Sequence, residues 1–209
     1  MICNVTILIG SYARGDASSE SDVDVLRVGH QNPIVRPKNI PSTAQISYID
    51  YDWQGLIRLH SQGSLFLYHA FREGLLLQGC KSKWDELRES FSVAPRHTES
   101  IMEYVELLFY IDKYPGYENA YIPYLSNIFK AVKNIGIFRL AERGIYRFDK
   151  KSALSLGCNI VDPMSQVLQS ANNCFERAVL PSREQIIQFR NAAKKWKSQN
   201  SSFMEKIIK

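Results

Sequence analysis

A near-continuous apolar run, residues 2–9, stops at Gly10-Ser11, and a polar loop of ten residues then leads to Asp22-Val23-Asp24. A short aliphatic, β-branched run closed by a glycine is the pattern of a buried strand. Val23, Val25 and Val28 mark a second strand beginning where the loop ends. Strand side chains alternate between faces, so Asp22 and Asp24 project together from one of them. This pattern demands a strand, a tight turn, a polar loop and a second strand in that order. It fixes the start of an α+β fold.

The rest of the first half continues in that style. Pro33, Pro37 and Pro41 turn the chain, and residues 46–51 (Ile-Ser-Tyr-Ile-Asp-Tyr) form a third strand. From Asp52 to Glu73 the apolar spacing is helical, with a break expected near Gly63, and residues 74–77 give a short last strand. Polar residues dominate between Gly79 and Arg96, which places a boundary there and predicts domains at 1–85 and 96–209. The second half is helical. One helix runs from Thr98, with Thr98 or Ser100 as cap, to Tyr114, where Pro115-Gly116 stops it. A long helix follows to Arg143 and ends at Gly144. Asp162-Pro163 opens another, running to about Val179. Ser182 with Gln185 three positions on opens the last as a capping box, ahead of a basic stretch and a polar tail.

Composition narrows the function classes. No stretch approaches the ~20 apolar residues of a membrane span, so membrane insertion is not expected. The start carries no basic lead or cleavage pattern, so no secretory signal is expected either. Cys3, Cys80, Cys158 and Cys174 show no paired spacing, which argues against zinc and for reduced, small core residues in a cytoplasmic protein. Residues 1–97 hold 10 basic and 10 acidic side chains, whereas residues 98–209 hold 16 and 11 and supply the whole net charge of +5. That excess is either a solvated helical surface or a positive wall for a polyanion.

The Gly10–Asp24 segment has the parts that phosphoryl transfer needs. Gly10 lets backbone approach a triphosphate, and the Ser11 hydroxyl and turn amides can donate to phosphate oxygens. Two carboxylates on one strand face can share Mg²⁺ ions. Two such ions, ~3.5–4 Å apart, stabilise both oxygens of an in-line displacement.

The segment resembles the polymerase-beta-like nucleotidyltransferase superfamily, in particular its small bacterial members. The resemblance rests on Gly10-Ser11, Ala13-Arg14-Gly15 and Ser21-Asp22-Val23-Asp24, and covers residues 2–80. Residues 63–69 (Gly-Ser-Leu-Phe-Leu-Tyr-His) with Arg72-Glu73-Gly74 look like a stretch that follows the core in a subset of them. The resemblance implies a mixed sheet flanked by helices, followed by a C-terminal helical bundle. It implies Asp22 and Asp24 as metal ligands, a nucleoside triphosphate donor bound at Gly10 and Ser11, and Mg²⁺ as cofactor. Arg14 either touches phosphate or anchors the loop to Asp16 or Glu20. By position in the long helix, Lys130 and Lys133 would reach the triphosphate or remain solvated.

Two departures stand out. The family's third carboxylate, on the neighbouring strand, falls at Ser47. Asp50 or Asp52 would replace it only if a bulge or the strand's end redirected the side chain, because both have the opposite parity; Asp50 is the preferred candidate for a catalytic role, with helix capping as its alternative. Small family members usually have a helix before the first strand, whereas this strand is expected from residue 2; either a partner or the C-terminal helices cover that flank, or the true start lies upstream.

The motif leaves the acceptor open among a protein or tRNA, an aminoglycoside, a nucleotide and an untemplated nucleic-acid strand. The positive helical half favours a polyanion, a nucleic acid or nucleotide. Size, the Gly63-Ser64-Leu65-Phe66 stretch and the altered third carboxylate look like nucleotidyltransferases of antiphage defence systems such as Hailong, which act with an effector or toxin partner. Self-priming would use Ser201 or Ser202 in the tail. The alternatives are nucleotidylation of a protein or tRNA, and a weakly active nucleotide-binding regulatory subunit. His97 is the last histidine, which excludes the histidine-dependent nuclease of some helical partners.

Overall fold

The aliphatic run predicted as a first strand is one: β1 (Val5–Ile9) is buried along its whole length. The computed structural model describes residues 3–18, 21–38 and 40–208, so Met1, Ile2, Ser19 and Glu20 of the expected strand and loop lie outside the described residues. The chain divides into two compact units, Met1–Pro95 and Arg96–Lys209.

In the first unit β1 is followed by α1 (Gly10–Arg14), β2 (Val23–Val28), β3 (Ile46–Tyr51), α2 (Trp53–Ser61), α3 (Leu65–Glu73), β4 (Leu75–Gly79) and α4 (Lys81–Glu89). The sheet order is β3-β2-β1-β4, with β1 antiparallel to β2 and β4, and β2 parallel to β3. Pleating sorts the side chains. Val5, Ile7, Ile9, Leu26 and Val28 face α2, α3 and α4 and pack with Leu56, Leu67, Ala70, Phe71 and Trp84. Leu8, Val23 and Val25 point the other way, toward Ile34, Ile40 and Ala44 of the proline-containing connection. That connection joins parallel strands with no helix among its described residues; Arg36 pins it by donating to the carbonyls of Pro41 and Ala44, at 2.6 and 2.9 Å.

The second unit is built around α6 (Tyr121–Glu142), which packs against α5 (Thr98–Lys113), α8 (Met164–Glu176) and α9 (Arg183–Ile208). Between α6 and α8, α7 (Lys150–Ser152) runs into one π turn, Ala153–Gly157. The turn meets α6 where two glycines touch: a Cβ on Gly157 would lie 2.4 Å from Gly136 Cα. Within the core, Tyr124 donates to Asp112 at 3.0 Å and Ser126 to Asn172 at 3.0 Å, so these buried polar atoms are satisfied. The α+β organisation with a helical C-terminal region is therefore as the sequence predicts.

Four local expectations need correction. The polar boundary segment holds α4, because Trp84 is buried against Phe71 and anchors an otherwise charged helix. Neither Thr98 nor Ser100 caps α5; Glu142 from the end of α6 accepts from the His97 amide at 2.8 Å and the Thr98 hydroxyl at 3.3 Å. The polar tail is the end of α9, so Ser201 and Ser202 are helical. Finally, Cys3 and Cys80 are joined by a disulfide, while Cys158 and Cys174 are buried thiols. The Ser182–Gln185 capping box forms with both reciprocal bonds, at 2.8 and 3.2 Å.

Candidate active site

Asp24 stands at the entry of β2, opposite Ile9, the last residue of β1. Gly10 follows at once with φ +73°, a left-handed conformation that L side chains avoid. A Cβ there would lie 2.5 Å from Asp24 Oδ2, so the turn backbone rests directly against the carboxylate. Any other residue would displace one or the other. Ser11 is the second residue of the short α1, and its carbonyl accepts from the amides of Gly15 and Asp16, which closes the turn. The loop re-enters the sheet through a Ser18–Ser21 knot: the Ser18 amide donates to Ser21 Oγ at 2.9 Å and the Ser21 amide to the Ser18 carbonyl at 3.0 Å. Asp22 follows, exposed, two residues before the half-buried Asp24.

This site belongs to a known type. Residues 6–55 match the family model of the nucleotidyltransferase domain. The chain therefore carries a nucleotidyltransferase domain. The match runs through the Gly10-Ser11 turn, Asp22 and Asp24, and ends just inside α2. No curated protein matches the chain.

The candidates on and beside β3 separate in space. The β2–β3 register sets Ser47 opposite Asp24 and Asp50 opposite Arg27. Asp50 is thus on the other face of the sheet, where Arg27 Nε and Nη2 both donate to its carboxylate at 2.6 Å. Arg27 also donates to the carbonyls of Gln31 and Asn32 and lies 3.8 Å over the Tyr48 ring. The Arg27 hydrogen bonds hold the Asp50 carboxyl below its ordinary range. The structure thus places Asp50, the preferred catalytic candidate, in an ion pair on the face away from Asp24, and no bulge in the β2–β3 register redirects it. Asp52 caps α2, accepting from the Gly55 amide at 2.6 Å.

Arg14 is an anchor. Its guanidinium forks onto Asp16, at 3.2 Å for both contacts, and Nη1 lies 3.4 Å from His69 Nε2 and 3.5 Å from Glu73 Oε2. His69 and Glu73, one turn apart on α3, approach within 3.1 Å. Burial, reinforced by Arg14, lowers the His69 pKa to about 4, so the ring is neutral near pH 7. Burial raises the Glu73 carboxyl against the opposing pull of Arg14. The two motif stretches, Ala13-Arg14-Gly15 and the residues from His69 to Glu73, are thus one structural unit that fixes the turn. Sequence reasoning missed that link, although the i, i+4 spacing of His69 and Glu73 was a usable signal.

Lys130 and Lys133 belong to α6. Lys130 pairs with Glu176 at 2.5 Å and sits 5.5 Å from the Phe175 ring, and Lys133 is half-buried one turn on. Among the described residues no three histidine, cysteine or acidic side chains converge as a metal site. No helix of the described residues is long and apolar enough to cross a membrane.

Proposed function

We propose that this nucleotidyltransferase moves a nucleoside monophosphate from an NTP or dNTP to a hydroxyl of a nucleic-acid or nucleotide acceptor, extending it without a template. The observation that carries the reading is the packing of the Gly10 backbone against the Asp24 carboxylate. It brings the turn and the acidic strand together, so a triphosphate held by the turn would lie beside Asp24. In the reaction the acceptor oxygen forms a bond to the α-phosphorus, the bond to the bridging oxygen of the β-phosphate breaks, and pyrophosphate leaves. The acceptor proton passes to solvent.

Asp22, just before β2, and Asp24, near its start, are the residues that would hold Mg²⁺; hard carboxylate oxygens suit that ion. Bound Mg²⁺ supplies charge neutralisation on the phosphates. The chain's own contribution is position. Gly10 admits the phosphate backbone, the Ser11 hydroxyl donates to it, and the Arg14–His69–Glu73 cluster keeps the turn in place.

A second reading has a specific observation behind it. Ser47, opposite Asp24, cannot accept a proton as a carboxylate would, which favours slow turnover and hence a nucleotide-binding regulatory role. The resemblance of the Gly63-Ser64-Leu65-Phe66 stretch and the small size favour a place in bacterial antiphage defence beside an effector or toxin partner. Incubation with each α-labelled NTP and dNTP, Mg²⁺ and single-stranded, tRNA or protein acceptors, resolved on a denaturing gel, separates the readings. Ladders on the strand support extension. Label on protein or tRNA supports modification of those targets, and binding without any labelled product supports the regulatory role.

A further inference from the structure

The helical unit contains a cavity of about 900 Å³ formed by the end of α6, the segment from the π turn to α8, and the C-terminal half of α9. Its lining residues include four cations, Arg139 on α6, Arg143 at the α6 C-cap, and Lys195 and Lys206 on α9. Arg139 and Arg143 lie four residues apart in the chain, at the end of α6. Lys195 and Lys206 lie three turns apart, roughly 16 Å along the axis at the α-helical rise. None of the four has an ion-pair partner among the described residues. The acid among the lining residues, Asp162, is engaged by the Ser165 hydroxyl and the Gln166 amide.

The wall is aromatic and incompletely satisfied. Trp196 lines the cavity at 6% exposure, packed on Phe203 with ring centroids 5.0 Å apart. Its indole Nε1–H is buried and has no acceptor among the described residues. A buried donor without a partner costs about 1–3 kcal/mol. Leu156 and Val161, also lining residues, are each 60% exposed and give the mouth apolar surface.

Apolar walls, an unmet donor and cations spread over three helical turns match a chain of bases linked by phosphates. A single phosphate cannot neutralise cations so far apart. We propose that this cavity binds single-stranded nucleic acid, with base edges against the Trp196 wall and backbone phosphates on Arg139, Arg143, Lys195 and Lys206. The inference deepens the proposed function by giving the acceptor class a binding surface, and it rests on that reading for its biological sense.

The test uses the full chain without nucleotide. Fluorescence anisotropy with a labelled dT12 strand should show binding whose affinity falls with salt, with a log–log slope of roughly 3 if four phosphates are neutralised. The double variant Arg143→Glu with Lys195→Glu should bind at least ten times more weakly. Trp196→Phe, which keeps the packing and removes the donor, should weaken binding severalfold. Lys194→Glu, outside the cavity, should change it less than twofold, and circular dichroism melts verify that each variant is folded. Unchanged affinity in the folded double variant overturns the proposal. So does competition by poly-glutamate as effective as that by unlabelled dT12, which would make the cavity an acidic-peptide or general anion surface. Transfer assays run in parallel separate the two readings: transfer with no cavity-dependent binding removes this inference alone, and cavity-dependent binding without transfer removes the proposed enzymatic role alone.

Discussion

Gly10 and Asp24 define each other. The glycine adopts φ +73°, and the space its side chain would need is filled by the aspartate carboxylate, 2.5 Å from the position of a Cβ. This contact couples the end of β1 to the start of β2 at the place where the glycine turn and the acidic strand meet.

Gly10→Ala should therefore impair both fold and activity. Left-handed strain and the clash together predict a loss of about 1–3 kcal/mol in urea denaturation. Transfer per folded molecule should fall at least tenfold, because relief of the clash moves either the turn or Asp24.

Asp50→Asn should act on stability alone. The Arg27 side chain is 8% exposed, and the substitution removes the carboxylate that takes two of its hydrogen bonds. A cost of about 1–3 kcal/mol is expected in equilibrium unfolding. The transfer rate of the folded fraction should stay within about twofold of the parent, since Asp50 lies on the face away from Asp24.

Ser47→Asp puts a carboxylate opposite Asp24. If proton removal from the acceptor limits the rate, single-turnover transfer should accelerate about tenfold or more, within the range of general base catalysis. The gain should disappear as pH falls through the new carboxylate's pKa, because only the ionised form accepts a proton.

His69 gives the first unit a pH dependence of definite sign. Its folded pKa, about 4, lies below the ordinary 6.5, so between those values the unfolded chain binds the extra proton. Stability then falls as pH drops through that window, by on the order of 1–3 kcal/mol. Glu73, raised by burial, binds its proton more readily when folded and opposes part of the loss. His97 in the second unit is also lowered by burial and adds a loss of the same sign. His69→Gln should flatten the pH 4–6.5 segment of the urea-stability profile relative to the parent; an unchanged slope would contradict the assignment.

Much of this was legible in the chain because short-range rules decide it. The β1 run, the alternation around Asp22 and Asp24, the helix break near Gly63 and the Ser182 capping box each depend on neighbours a few residues away. What escaped depended on long-range partners. The parity of Asp50 already set it apart from Ser47, but only strand register shows Arg27 beside it. Cys3 and Cys80 are 77 residues apart and pair because β1 and β4 are neighbours. The apparent tail hid a helical stripe: Trp196, Asn200, Met204 and Ile207 recur every three or four residues and are all buried, despite their polar surroundings. The α4 helix was missed for the opposite reason, since one buried tryptophan holds a segment whose composition is that of a linker.

The central claim is that the Gly10-Ser11 turn and the Asp22–Asp24 face together carry nucleotidyl transfer. Its most direct test measures α-label transfer and pyrophosphate release with Mg²⁺ for the parent chain and for Asp24→Asn, over all NTPs and dNTPs and with strand, tRNA and protein acceptors. The account predicts labelled product and stoichiometric pyrophosphate from the parent, with at least a thousandfold loss in a folded Asp24→Asn. Transfer that survives in Asp24→Asn, or a parent chain that forms no product with any combination, would contradict it.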